Sequence, residues 1–178
     1  MFKPEIYKGA KYSELDPEII KIISEQFTAQ KGLYLYGPAG SGKTHIAYAI
    51  AEEVEKRGFK VKFHKVNRLI HKFRDNRDYA GRELLDTFIG IDYTGFGQDR
   101  DYLFLDDLGS NKESDFSIDC LTMILDYRYE NKLQTIITSN ASMEELEENV
   151  GSRIYSRLVG MCKEIKIDGE DMRLKEIK

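Results

Sequence analysis

Residues Gly37–Thr44 read GPAGSGKT, between a short β-prone run, Gly32–Tyr36 (GLYLY), and a good helix former, His45–Arg57. A strand that passes through such a loop into a helix has few folds open to it. The pattern is G-x-x-x-x-G-K-[ST], and each part has a physical task. Gly37, Gly40 and Gly42 reach backbone angles closed to other residues, so successive N–H groups can turn inward on an anion. Pro38, Ala39 and Ser41 fill out the cradle. Lys43 is placed to reach β- and γ-phosphates and Thr44 to offer its hydroxyl to Mg²⁺. The helix, with His45 in its first turn, points its positive end at the same anion. The expected ligands are therefore ATP or ADP with Mg²⁺.

Around this loop, strand-like and helix-like segments alternate, which predicts an α/β fold whose parallel sheet is covered on both faces. Asp16-Pro17 is a helix start, an N-cap residue followed by proline at the first helical position, and opens a helix to about Phe27. The phosphate-loop strand Leu33–Tyr36 follows, then a helix ending at Gly58. Further strands are expected at Phe59–Val66, Tyr102–Asp106, Thr135–Ser139 and Lys163–Ile167. Helices are expected at Asn67–Arg74, Gly81–Phe88, Phe116–Tyr129, Ser142–Asn149 and Ser152–Val159. The glycine-rich stretch Gly90–Arg100 reads as a loop. Five strands result.

A chain of 178 residues fits one domain, with residues 1–30 as an opening segment and first helix and residues 31–178 as the phosphate-loop core. Its 41% hydrophobic and 33% charged composition is that of a water-soluble protein. No apolar run approaches membrane-spanning length, and MFKPEIYKG is not a signal peptide. Cys120 and Cys162 lie in apolar contexts without zinc spacing and read as reduced packing residues. These features point to the cytoplasm and away from membranes. The net charge of −4 argues against indiscriminate coating of nucleic acid. Yet Lys60–Arg82 carries eight Lys/Arg against two Asp, while Met143–Glu148 carries four Glu. The basic stretch is either a solvated helix face or a local track for a phosphate backbone.

Three further segments carry chemistry. Tyr102–Leu108 (YLFLDDL) is an apolar strand ending in two carboxylates, which near a core need partners. Mg²⁺ and an attacking water would supply them, with Asp106 in the metal shell and Asp107 orienting and deprotonating the water. The plainer reading is an Asp-rich turn. Ile136–Asn140 (IITSN) is a second apolar strand with a polar tip, where Asn140 can bond the water and a γ-phosphate oxygen or simply shape a turn. Gly151–Leu158 (GSRIYSRL) sets Arg153 and Arg157 four apart on one helical face. They suit the charge of a transferring phosphoryl group, or form a solvated pair answering Glu144–Glu148.

These four elements, in this order and spacing, resemble AAA+ ATPases. Within that class they are similar to the DnaC/DnaI group of bacterial replicative-helicase loaders and the related IstB ATPases that assist transposases. The matching stretches are GLYLYGPAGSGKTHIAYAIA, YLFLDDLG, TIITSN and GSRIYSRL, with a late DMR at Asp171–Arg173; the resemblance as a whole spans about residues 2 to 173. The Asp-Asp ending of the acidic strand, where most AAA+ proteins have Asp-Glu, is characteristic of this group. The resemblance implies a three-layer α/β/α sandwich of the additional-strand type. In it, the strand ending at Asn140 separates the acidic strand from the phosphate-loop strand, and no helical lid is evident. It also implies sensor 1 at Asn140, an arginine finger at Arg157 with Arg153 as the alternative, and a sensor-2 role for Arg173. PEIYKGAKYSEL resembles the segment that runs past the adenine, making Tyr7 and Tyr12 candidates for base contact or for packing.

The functional expectation is an ATPase acting as a replicative helicase loader, self-associating through its ATP site and contacting single-stranded DNA, with a helicase or a transposase as client. Two other classes remain beside it. A small-molecule kinase would need lid arginines and an acceptor pocket. A nucleotide-dependent interaction module with little hydrolysis would suit Asp107, one methylene shorter than Glu.

Overall fold

The computed structural model describes residues 3–75, 101–110 and 113–169. The expected helix at Gly81–Phe88 and the stretch Gly90–Arg100 lie outside them. The described elements run α1 (Pro17–Thr28), β1 (Gly32–Tyr36), α2 (Lys43–Lys56), β2 (Val61–Lys65), α3 (Val66–Asp75), β3 (Tyr102–Leu108), α4 (Asp115–Glu130), β4 (Thr135–Ser139), α5 (Met143–Val150), α6 (Ser152–Met161) and β5 (Cys162–Lys166). Two single 3₁₀ turns, Glu5–Tyr7 and Tyr12–Glu14, precede them.

All strand pairs are parallel, in the order β2-β3-β4-β1-β5. The acidic strand β3 is thus separated from β1 by β4, as the resemblance implied. The central strands β1 and β4 are apolar on both faces because both faces are covered. Leu33 and Leu35 pack with Ile46, Ile50 and Val54 of α2 and Ile23 of α1. Tyr34, between them, packs on the opposite side with Leu121, Ile124 and Leu125 of α4 and Ile154 and Leu158 of α6. The period-2 alternation along β3 does the same, with Phe104 on the α2 side and Leu103 and Leu105 on the α4 side. This is a three-layer α/β/α sandwich.

Local chemistry sets the element ends. Asp16 caps α1, accepting from Glu18 N–H at 2.7 Å, with Pro17 at the first position. Ser142 and Glu145 form a reciprocal capping box on α5. Several boundaries differ from expectation by a residue or two, and two of them bear on the site. Val66, expected to end β2, instead opens helix α3, because Val66, Leu69, Ile70 and Phe73 form one buried stripe. Strand β3 runs past Asp106 to Leu108, its pairing with β4 shifting between Leu105 and Leu108. The carboxylate pair therefore sits inside the strand, at an irregularity, rather than beyond its tip. Cys120 and Cys162 are buried free thiols, and no described helix is long and apolar enough to cross a membrane.

Candidate nucleotide site

The loop after β1 has the backbone its glycines predict, with φ of 151° at Gly37, 78° at Gly40 and 95° at Gly42. Gly42 is the N-cap of α2 and brings no side chain to the first turn. The amides of that turn are therefore not answered by a capping side chain, which is the arrangement an anion requires. The Lys43 ammonium is buried and curls over the loop, donating to Gly37 O at 2.8 Å and Pro38 O at 2.7 Å. Ser41 Oγ is buried in the cradle with no hydrogen-bond partner. His45, in the first turn, is partly buried, which lowers its pKa.

The loop and the acidic strand are joined directly. Thr44 Oγ1 donates to Asp106 Oδ1 at 2.7 Å, and Thr138 Oγ1, from β4, donates to the same oxygen at 2.7 Å. Asp106 is 1% exposed, and its other oxygen, Oδ2, is buried with no hydrogen bond. Burial pushes its carboxyl above the usual range, and the two hydroxyls pull it partly back. A buried carboxylate oxygen beside a threonine hydroxyl fits a hard divalent cation such as Mg²⁺. Thr44 and Asp106 are the residues that would hold it.

Asp107 adopts φ 63°, the left-handed region that a non-glycine residue enters only under constraint. Two things supply the constraint: the register shift in β3 and the bond from Asp107 N–H to Thr138 Oγ1 at 3.0 Å. The kink turns the half-exposed Asp107 carboxylate toward Lys65, whose Nζ lies 3.4 Å from Asp107 Oδ2 and 3.7 Å from Asp106 Oδ2. Parallel register accounts for this, since Lys65 is paired with Asp106 across β2 and β3.

Sequence reasoning missed Thr138 and Lys65 as site residues. It singled out Asn140, which is exposed just beyond β4. Yet Thr138, two residues earlier, is the β4 side chain that touches the acidic pair. The available signal was the threonine within an otherwise apolar strand, IIT. Lys65 was absorbed into the basic stretch, because nothing local shows that its strand borders β3.

The remaining candidates lie elsewhere. Tyr7 stacks on Tyr48 at 4.6 Å, Tyr48 on Phe63 at 3.9 Å, and Phe63 on Phe104 at 5.4 Å between ring centroids. This aromatic column ties the opening segment to the sheet. Tyr12 packs against the α1–α2 core and lines a separate cavity of about 310 Å³ with Phe27, Phe59 and Tyr102. Packing, the second of the two expectations for these tyrosines, describes both positions. Arg153 and Arg157 do not answer Glu144–Glu148; both are paired with Asp126 of α4. That carboxylate is closer because α6 packs along α4. Arg173 lies outside the described residues.

The geometry is that of a phosphate loop joined through Thr44 to a buried carboxylate of the acidic strand, and sequence comparison agrees with a nucleotide-binding loop. A family model described as IstB-like ATP binding protein matches residues 7–178. The chain belongs to this family of ATP-binding proteins. Replicative helicase loader DnaI of Bacillus subtilis is 27% identical over 157 residues, covering 80% of this chain and 48% of that protein. An insertion sequence IS5376 putative ATP-binding protein of Geobacillus stearothermophilus is 29% identical over 164 residues, covering 89% of the chain and 62% of its own length. The chain thus spans about half to three-fifths of these relatives. Among solved structures, a DnaC helicase loader superposes with a TM-score of 0.77 at 26% identity, covering 93% of this chain and all of the other. The family member described here has the AAA+ fold of those neighbours.

Proposed function

We propose that the protein is an Mg²⁺-dependent ATPase of the helicase-loader type, whose hydrolysis is completed by an arginine of a neighbouring subunit. The observation that carries this reading is the Thr44–Asp106 contact with a buried, unbonded Asp106 Oδ2 beside it. In this reading residues 37–45 cradle the triphosphate and Lys43 neutralises its β- and γ-oxygens. Thr44 and Asp106 would hold Mg²⁺, which when bound would supply charge neutralisation at the phosphates. Asp107, kinked out of the strand, takes the proton of the attacking water, and Asn140 orients that water. Arg157, or Arg153, meets the transferring phosphoryl group of the next subunit. Arg173 and the opening tyrosines are assigned the sensor-2 and base-side roles by resemblance alone.

The exposed face of α3 supports a single-stranded DNA contact. Its apolar stripe is buried, while Arg68, His71, Lys72 and Arg74 are exposed. Such a face binds by phosphate neutralisation and weakens steeply with salt. The client of the ATP state is a replicative helicase. A transposase is the second reading, favoured by the family match and the insertion-sequence relative.

The test is ATP hydrolysis measured against protein concentration, with and without single-stranded DNA. A rate per subunit that climbs with concentration and rises further with DNA is expected. A flat, DNA-blind rate would reject the assembling ATPase and leave a nucleotide-binding module. Co-elution with a replicative helicase or with an insertion-sequence transposase, in ATP against ADP, separates the two clients.

A further inference from the structure

We infer that Asp126 and Tyr129 of α4 are positioning residues that select Arg157, rather than Arg153, as the arginine offered to the neighbouring ATP site. The inference rests on the trans-acting reading above and deepens it. Both arginines share one carboxylate, but they use different nitrogens. Arg157 donates through Nε to Asp126 Oδ1 at 2.8 Å, whereas Arg153 engages Oδ2 through a terminal amino group, Nη2. Among the described residues, the terminal nitrogens of Arg157 make no hydrogen bond, so its two-pronged outer edge is left for an acceptor. Arg153 spends an outer nitrogen on Asp126.

A second contact fixes the plane of Arg157. Its guanidinium carbon lies 5.1 Å from the centroid of the Tyr129 ring, a cation–π distance. Tyr129 can lie there because α6 has a glycine beneath it. A Cβ on Gly160 would meet Tyr129 Cε2 at 2.7 Å. Asp126 and Tyr129 are three apart on α4, and Arg157 and Gly160 are three apart on α6, so one face of each helix builds the shelf. The fit differs for the two arginines. The Arg157 side chain is 31% exposed and held from two sides, while that of Arg153 is 68% exposed and held from one. Two arginines on one carboxylate also leave a net positive charge facing outward, as a triphosphate requires.

A finger must be rigid before assembly, because ordering a free arginine during the encounter costs conformational entropy. Asp126→Ala is therefore expected to lower kcat about tenfold with KM for ATP and nucleotide affinity unchanged, and Asp126→Glu to restore most of the loss. Arg157→Ala is expected to lower kcat at least a hundredfold and Arg153→Ala less than threefold. Gly160→Ala, which displaces the ring without touching a charge, is expected to act in the same direction as Asp126→Ala.

Subunit mixing decides the matter. Lys43→Ala subunits, unable to hold ATP but with their arginines intact, are mixed with Arg157→Ala subunits, and hydrolysis is expected to return. Carrying Asp126→Ala on the Lys43→Ala subunit is expected to cut that restored rate about tenfold. Equal restoration with and without Asp126→Ala would overturn the positioning role while the trans reading stands. No restoration in the first mixture would overturn both. Greater loss in Arg153→Ala than in Arg157→Ala would overturn the selection.

Discussion

Strand β3 has a buried aspartate just before it and another within it, and the two are treated differently. Asp101, just before the strand, is 1% exposed, as is Asp106 within it. Asp101 is neutralised by its own chain. Arg128, itself fully buried, donates to Asp101 Oδ1 at 2.9 Å and to its carbonyl at 3.0 Å, while Lys62 pairs with Oδ2. Arg128 is completed by Thr135 Oγ1 at 2.9 Å and Gln134 O at 2.7 Å. Asp106 receives two neutral hydroxyls on one oxygen; its Oδ2, like that of Asp101, accepts no hydrogen bond, and the cation beside it is a half-exposed lysine 3.7 Å away rather than a buried arginine. Burying a carboxylate costs several kcal/mol unless charge and hydrogen bonds offset it. At Asp101 the fold supplies the offset, locking β3, α4 and β4 together. At Asp106 the offset is incomplete, and a bound cation would complete it. Buried charge locks the fold where the chain closes the circuit and leaves room for a cation where it does not.

Breaking the closed end should have the largest effect. Asp101→Ala leaves Arg128 charged and unpaired, so urea denaturation is expected to show a loss of about 3–5 kcal/mol. The double variant Asp101→Ala with Arg128→Met should recover much of it. Equal losses in the single and double variants would mean that the pair, rather than the orphaned charge, carries the stability.

Acid sharpens the contrast next. Burial beside Lys72 and Lys62 lowers the His64 pKa to about 4. Above pH 6.5 the ring is neutral in both folded and unfolded chains. Between pH 6.5 and 4 the unfolded chain takes up a proton that the folded one refuses, so stability falls as pH falls. Asp106, with its raised pKa, works the other way, since protonation relieves its burial. Over this range His64→Gln should lose less stability than the parent, by about 1–2 kcal/mol after allowing for partial exposure. Identical pH profiles would remove His64 from the account.

The smallest stability effect is expected at the open end. Asp106→Asn removes a buried charge and keeps an oxygen for Thr44 and Thr138, so the nucleotide-free protein should become about 1 kcal/mol more stable, a melting shift of roughly 2–4 °C. The extra stabilisation that ATP adds through Mg²⁺ should vanish in the same variant. A destabilised Asp106→Asn protein would show that the carboxylate is satisfied in place, contrary to the comparison with Asp101.

Much of this was legible without coordinates where the signal was local. The phosphate loop, the capped start of α1 at Asp16-Pro17 and the alternating order of elements are written in neighbouring residues. The roles of Lys65, Thr138 and Asp126 were not, because each depends on which strand or helix lies beside it. Lys65 read as one more cation in a basic run until register set it opposite Asp106. The arginines of α6 read as suited to a phosphoryl group or as partners of the nearby glutamates, and nothing local pointed to Asp126, which α4 brings to them. Asp107 read as the end of a strand until the shifted pairing with β4 turned it into a left-handed kink.

By itself the sequence determined the cradle and the parallel α/β architecture, since glycine spacing, helix caps and apolar periodicity act over a few residues and survive in any context. Tertiary structure alone decided which charges are closed and which stay open. Strand order puts β4 between β3 and β1, and helix packing puts α4 under α6. Which partners a buried carboxylate finds is then settled by residues 27 to 62 positions away, across distances that no local pattern encodes.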